Sequence, residues 1–254
     1  MFDFLSLRAR KVDSNRYQEA YSRQIENKEI PSPGLLNIPE LYRKPFIYYY
    51  KFLEAELTRT SKVLELGSGS GIHTSILCDL SDDVTALDIS KASLELCSIV
   101  TRNRCKLLEG SIDEIPVPDN SYDVVVSCGS LSYANWKTLT AEIIRVTKPG
   151  GKFIFLDSLN GNPIYIGNRI IHVLRRRRTL ATVLRIPTKR KIRKLMNRYE
   201  KHSILFMDKW LWLFKGQTNK MKDHGRLVQK LEGARLFESW AFKVVGAASG
   251  LKKD

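Results

Sequence analysis

Long apolar runs are missing from this chain. No stretch of about 18 apolar residues occurs, so no membrane-spanning helix is expected. Cysteine is scarce too. The four present, Cys78, Cys97, Cys105 and Cys128, lack metal-ligand spacing, which argues against zinc and points to reduced thiols in a cytosolic protein. The four histidines, His73, His172, His202 and His224, form no cluster in sequence. The opening residues Met1 to Arg8 lack the basic-then-apolar pattern of a secretory signal, so a cytoplasmic location is expected.

Acidic residues are sparse in one region only. Residues 1–160 carry 19 Lys/Arg and 21 Asp/Glu, a net of −2; residues 161–254 carry 23 and 6, a net of +17. All of the chain's +15 excess therefore sits in the last third. Such an asymmetry predicts an anionic partner there: a phosphorylated acceptor, an anionic membrane surface or nucleic acid. The plain alternative is a solvated basic face that aids solubility.

What is present is a sizeable core (43% hydrophobic residues) and a regular alternation of elements. The spacing predicts strands at 62–66, 83–88, 105–109, 122–127 and 152–157, with helices at 46–57, 72–80, 91–100 and 139–146. Alternation at short intervals is the signature of βαβ units, and hence of a parallel sheet. Beyond it, Asn162-Pro163 opens a helical stretch with Ile166, Ile170, Val173 and Leu174 on one face, running into Arg175–Arg178. Pro187-Thr188 starts a second amphipathic helix with Ile192, Leu195, Met196 and Tyr199 inward. Further strands are expected at 202–207 and 239–247, with Trp210 and Trp212 between them.

The richest segment is Val63-Leu64-Glu65-Leu66-Gly67-Ser68-Gly69-Ser70-Gly71: a buried strand, an acid, then three glycines at alternate positions before a helix. Glycine admits a ligand close to the backbone and reaches the positive φ of a tight turn. The helix amides beyond it face that ligand. Glu65 at the strand's end can meet an ammonium group, directly or through water. Asp88, closing the next strand, can accept both hydroxyls of a ribose. Ser111 and Ile112, after the third strand, can bond and pack on an adenine. All lie at carboxyl ends of parallel strands, where open α/β sheets bind ligands. A dinucleotide fingerprint would read G-x-G-x-x-G without the preceding acid, so that ligand is disfavoured.

Over Val63 to Asp157 these residues resemble the class I S-adenosylmethionine-dependent methyltransferases. The glycine motif and Asp88 match, as do Glu109–Tyr122 (the family's adenine loop) and Arg145–Gly151 (its turn before the fifth strand). Ser111 departs from the family's usual aspartate, which shifts the adenine contact toward the backbone amide of Ile112. The resemblance implies a Rossmann-like α/β fold: a mostly parallel seven-stranded sheet, helices on both faces and a C-terminal antiparallel strand. It divides the chain into a helical lid segment (1–60) and a methyltransferase domain (61–254). Within the latter lie a cofactor half (61–158), a substrate-side insertion (160–200) and last strands at about 202–247. The cofactor implied is S-adenosyl-L-methionine, held by Glu65, Gly67, Ser68, Gly69, Gly71, Asp88, Ile89, Ser111, Ile112 and Cys128, with no metal. The candidate catalytic bases are His172 and Asp157; His73 reads as a packing residue.

A second resemblance, carried by Gly129–Tyr133, Asp157–Asn160, Asn162–Tyr165 and Arg185–Thr188, is to bacterial methyltransferases of surface-polysaccharide assembly. It implies an O-methylated glycan acceptor, either a nucleotide sugar or a saccharide on a lipid diphosphate. Arg175–Arg178 would then face diphosphate, or the Lys189–Arg198 helix anionic lipid at the inner membrane surface. Two readings compete with it: an RNA methyltransferase tracking phosphates with the basic third, and a non-catalytic binding protein. Ser127-Cys128-Gly129-Ser130 after the fourth strand lacks the Asn/Asp-Pro-Pro-Tyr of exocyclic-amine enzymes and the Pro-Cys of cytosine enzymes.

Overall fold

The structure is a computed structural model that describes residues 15–36, 38–175, 179–208 and 241–253. Trp210, Trp212, His224, Arg176–Arg178 and the first residues of the expected last strand lie outside the described residues.

Seven strands form one sheet in the order β3-β2-β1-β4-β5-β7-β6. The parallel part comprises β1 (Lys62–Leu66), β2 (Asp83–Asp88), β3 (Lys106–Glu109), β4 (Tyr122–Cys128) and β5 (Thr147–Ser158). β7 (Lys243–Leu251) runs antiparallel to both β5 and β6 (Tyr199–Met207). The fold is thus the Rossmann-like arrangement expected, with β1 at the switch between the two halves.

Both faces of the sheet are covered, which is why β1 and β4 read as near-continuous apolar runs. Alternate side chains separate into two cores. Leu64, Leu66, Val125, Phe153 and Phe155 pack with Leu139 and Ile143 of α5 (Trp136–Val146) and Ile192 and Leu195 of α8 (Lys189–Met196). Val63, Val124, Val126 and Ile154 pack with Tyr49 and Leu53 of α2 (Arg43–Glu56) and Leu77 of α3 (Ile72–Leu80).

Helix starts follow capping chemistry. Asn135 accepts from the Lys137 amide, so α5 begins three residues before the expected Leu139. Asn162 accepts from the amides of Ile164 and Tyr165, with Pro163 as first residue of α6 (Pro163–Leu174). Thr179 caps α7 (Leu180–Arg185) and Thr188 caps α8.

Three expectations shift. The basic stretch holds an additional helix, α7. Tyr199 is buried as expected, but as the first residue of β6 rather than the end of a helix. β7 reaches Leu251, four residues past the expected end. Its small residues are demanded by neighbours: a Cβ at Gly246 would lie 2.5 Å from Phe155 Cε1.

Candidate active site

A cavity of about 350 Å³ opens at the carboxyl ends of β1 to β4, within the range of small-molecule sites. Its floor is the β1–α3 loop, Gly67 to Ser70. Two glycines there are favoured by both backbone angle and close neighbours. Gly67 has φ +67°, and a Cβ on it would lie 2.6 Å from Ser130 Cβ. Gly69 has φ +54°, and its Cβ would lie 3.0 Å from the Tyr21 hydroxyl. Asp88 braces this loop: its carboxylate accepts from the amides of Gly69 (2.9 Å) and Ser90 (3.0 Å) while also lining the cavity. Burial pushes the Asp88 carboxyl up from its ordinary pKa, against those amide bonds.

Of the expected cofactor residues, Gly67, Ser68, Gly69, Asp88, Ile89, Ser111, Ile112 and Cys128 line this one cavity. Glu65 and Gly71 do not. Gly71 has φ +82° and caps α3; a Cβ there would lie 2.8 Å from Cys97 Cα of α4 (Lys91–Thr101), so helix packing demands glycine. Glu65 lies behind the loop, 1% exposed, and accepts from the Thr74 hydroxyl at 2.5 Å. Burial pushes its carboxyl up to about 8 despite that bond, so it is uncharged at neutral pH until a cation approaches.

Neither expected base lines the cavity. Asp157 is buried, accepting from the amides of Leu131 (2.8 Å) and Ser158 (2.6 Å), and so holds the turn at Leu131–Tyr133 in place. His172 sits half-buried on α6.

Sequence reasoning passed over His73. It lines the cavity from the first turn of α3, where its Nδ1 meets the Tyr50 hydroxyl at 2.7 Å. Phe46 stacks on its ring at 5.6 Å and Tyr49 meets it edge-on at 6.3 Å. Burial lowers its pKa to about 4, so the ring is neutral at physiological pH. Burial pushes Tyr50 far above 10, so its phenol keeps its proton. In the tautomer where that phenol donates to Nδ1, Nε2 carries the hydrogen and the ring offers a neutral donor. The available signal was the place of His73 two residues past the last glycine, in a turn whose amides face the ligand.

A lid covers the cavity. The helix over 15–26, α1, puts Tyr17 and Tyr21 into the lining. Tyr17 shares a hydroxyl–hydroxyl hydrogen bond with Tyr133, on the β4 side. The Gln18 side-chain oxygen accepts from the Ser90 hydroxyl (2.8 Å) and the Ala92 amide (3.2 Å). Tyr21 is raised to about 12, first by burial and then by the Asp88 charge, so its hydroxyl stays a donor.

These residues fit an adenosyl–amino-acid ligand. Ser68 Oγ is buried with no partner among the described residues, Asp88 presents a carboxylate, and Glu65 holds a negative charge in reserve behind the loop. No group of three or more His, Cys, Asp or Glu side chains among the described residues could hold a metal ion.

Residues 64–155 match the family model described as "Methyltransferase domain". A demethylmenaquinone methyltransferase of Geobacillus sp. (strain WCH70) is 32% identical over 119 residues, covering 44% of this chain and 50% of that protein. The chain spans about a third to a half of the length of the first curated relatives it matches. Among solved structures, phosphoethanolamine N-methyltransferase 2 of Haemonchus contortus, in complex with S-adenosylhomocysteine, superposes with TM-score 0.59 at 14% identity, covering 83% of this chain and 53% of that one. Geranyl diphosphate C-methyltransferase of Streptomyces coelicolor A3(2) does so with TM-score 0.57 at 15% identity, covering 86% of each.

Proposed function

We propose that the chain, whose residues 64–155 match a methyltransferase-domain model and whose fold is Rossmann-like, is an enzyme transferring the methyl group of S-adenosyl-L-methionine to a hydroxyl of a small, glycan-type acceptor. The observation that carries the reading is the convergence of Gly67, Gly69, Asp88 and Ile112 on one cavity. Asp88 takes the ribose hydroxyls, and Ser111 and Ile112 the adenine. Glu65 ionises as the ligand's ammonium group arrives.

The acceptor enters on the side of Tyr133, beneath α1. Its oxygen attacks the sulfonium methyl in line: the C–O bond forms as the S–CH3 bond breaks, S-adenosylhomocysteine leaves neutral at sulfur, and the hydroxyl proton is released to bulk solvent. Since the sulfonium is already a good leaving group, the protein's contribution is mainly alignment and exclusion of water. Tyr17, Tyr21 and Tyr133 close the space, while His73, neutral at physiological pH, supplies a hydrogen bond. The net +17 of residues 161–254 supports an acceptor with an anionic carrier, a nucleotide sugar or a saccharide on a lipid diphosphate.

The test supplies methyl-labelled S-adenosylmethionine with nucleotide sugars, lipid-diphosphate-linked saccharides and RNA in parallel. Label transferred to a saccharide hydroxyl supports the reading. Transfer to RNA alone would move the acceptor to nucleic acid, and failure to bind the cofactor would leave a non-catalytic protein.

A further inference from the structure

α6 carries one apolar arc over about half its circumference. At one edge of it Ile166 and Val173 are half-buried, whereas Ile164, Ile170, Ile171 and Leu174 are 41%, 44%, 47% and 77% exposed along the rest; Tyr165, Asn168, Arg169 and His172 on the opposite arc are half-buried, and no residue of the helix is fully buried. α7 packs against α6 and adds Leu180 and Leu184, 54% and 65% exposed. The helix turns its polar arc toward the protein and leaves most of its apolar arc outward, the reverse of an ordinary surface helix, and six large exposed apolar residues on two touching helices exceed the scattered exposure of an ordinary surface.

The charge around these helices selects the cover. From Ser158 to Tyr199 the chain has twelve Arg or Lys and no Asp or Glu. Arg175 at the end of α6, and Arg190, Arg193 and Lys194 of α8, are exposed. The apolar side of α8 is used up in the core by Ile192, Leu195 and Met196, so α8 has only charge to offer. A second copy of this chain would bring like charge against like. An anionic lipid surface satisfies both features, because its acyl boundary takes the isoleucines and leucines while its headgroups take the cations.

We infer that α6 and α7 form a membrane-docking element that seats shallowly in an anionic bilayer, with α8 as its electrostatic rim. The element adjoins the candidate active site. α7 packs on the Leu131–Tyr133 turn, and the Arg185 guanidinium donates to the Tyr133 carbonyl at 3.1 Å, beside the cavity. A docked molecule therefore presents the Tyr133 side of the cavity close to the lipid surface, which selects a lipid-borne acceptor over a free nucleotide sugar. That choice of acceptor rests on the function proposed above; the docking does not.

The test is sedimentation of the full chain with vesicles of phosphatidylcholine alone and of equimolar phosphatidylglycerol and phosphatidylcholine. The wild type co-sediments with the anionic vesicles and far less with the neutral ones. Arg190→Gln with Lys194→Gln lowers partitioning by roughly 25-fold, about fivefold per cation, and weakens its dependence on salt. Leu174→Asp with Leu184→Asp lowers it by about tenfold or more while leaving the basic residues intact. Calorimetric binding of S-adenosylhomocysteine, unchanged in both variants, shows that they are folded and reports on the cofactor reading separately. No binding to anionic vesicles, or equal binding by Leu174→Asp/Leu184→Asp, overturns the docking. So does a concentration-dependent dimer of the wild type that this variant abolishes, because the cover would then be a second copy.

Discussion

Glu65 provides a proton-counting test of cofactor recognition. Its carboxyl is 1% exposed and pushed up to about 8, from an ordinary value of 4.5. Holding a negative charge there without a partner costs about 5 kcal/mol, so at pH 6.5 roughly 97% of the unliganded molecules carry the proton. A ligand ammonium held near the strand's end reverses that balance, because an opposite charge favours the ionised carboxylate. Binding at pH 6.5 should then release close to one proton. The ligand's own α-amino group, with an ordinary pKa near 7.8, is about 95% protonated at that pH and takes up almost nothing. Titrating S-adenosylhomocysteine calorimetrically in buffers of different ionisation enthalpy reads the number directly as a slope. We expect roughly 0.9 proton released by the wild type and none by Glu65→Gln, which keeps the shape and can still pair with the Thr74 hydroxyl. The ligand's small contribution is common to both proteins, so their difference isolates Glu65. Equal slopes would refute the assignment of Glu65 to the ammonium.

Three further outcomes follow from the same geometry. Gly71→Ala forces a Cβ to within 2.8 Å of Cys97 Cα at φ +82°; strain and overpacking together should cost about 3 kcal/mol and lower Tm by roughly 6–12 °C in a thermal melt. Tyr17→Phe removes the lid's hydroxyl contact with Tyr133, worth about 1 kcal/mol, so S-adenosylhomocysteine should dissociate about fivefold faster in stopped flow; an unchanged rate would mean that α1 does not gate release. His73 is held neutral with a pKa of about 4. Below its ordinary value of about 6.5 the unfolded chain takes up a proton that the native chain refuses, so stability is full above 6.5 and lost as pH falls toward 4, by about 3 kcal/mol. Glu65, protonated in the native chain below about 8, contributes in the opposite sense, so urea unfolding across that range should show the wild type losing about 3 kcal/mol relative to His73→Asn.

The frame of the cavity was legible in the sequence because each part of it is local. Glycines forced by close approach, an acid at a strand end and Asp88 at the next strand end all announce themselves within a few residues, and β1 to β5 follow from period and turn chemistry. What stayed hidden depends on partners far along the chain. Asp157 looked like a base because it stands at a strand end, yet it does not line the cavity and instead braces the Leu131 and Ser158 amides. His73 looked like packing because its value comes from Tyr50, Phe46 and Tyr49, all on α2. Gly71 read as part of the cradle, although its constraint comes from Cys97 on α4. The end of β7 was missed because Ala248, Ser249 and Gly250 carry little strand propensity by themselves, and only pairing across the sheet (Ala248 with Phe153, Ser249 with Lys201, Leu251 with Tyr199) explains them. Periodicity put Ile166, Ile170, Val173 and Leu174 on one face of α6 but could not say what covers it, and Ile170 and Leu174 are exposed.

The central claim is that the cavity at the β1–β4 strand ends binds S-adenosyl-L-methionine through Asp88. Its most direct test is a calorimetric titration of S-adenosylhomocysteine into the wild type and Asp88→Asn, with NAD as a competitor. The account predicts one site per chain, an affinity loss of about 3 kcal/mol (on the order of 150-fold) in Asp88→Asn from two weakened ribose hydrogen bonds, and no displacement by NAD. Binding that Asp88→Asn leaves intact, or a site that NAD occupies equally well, would contradict it.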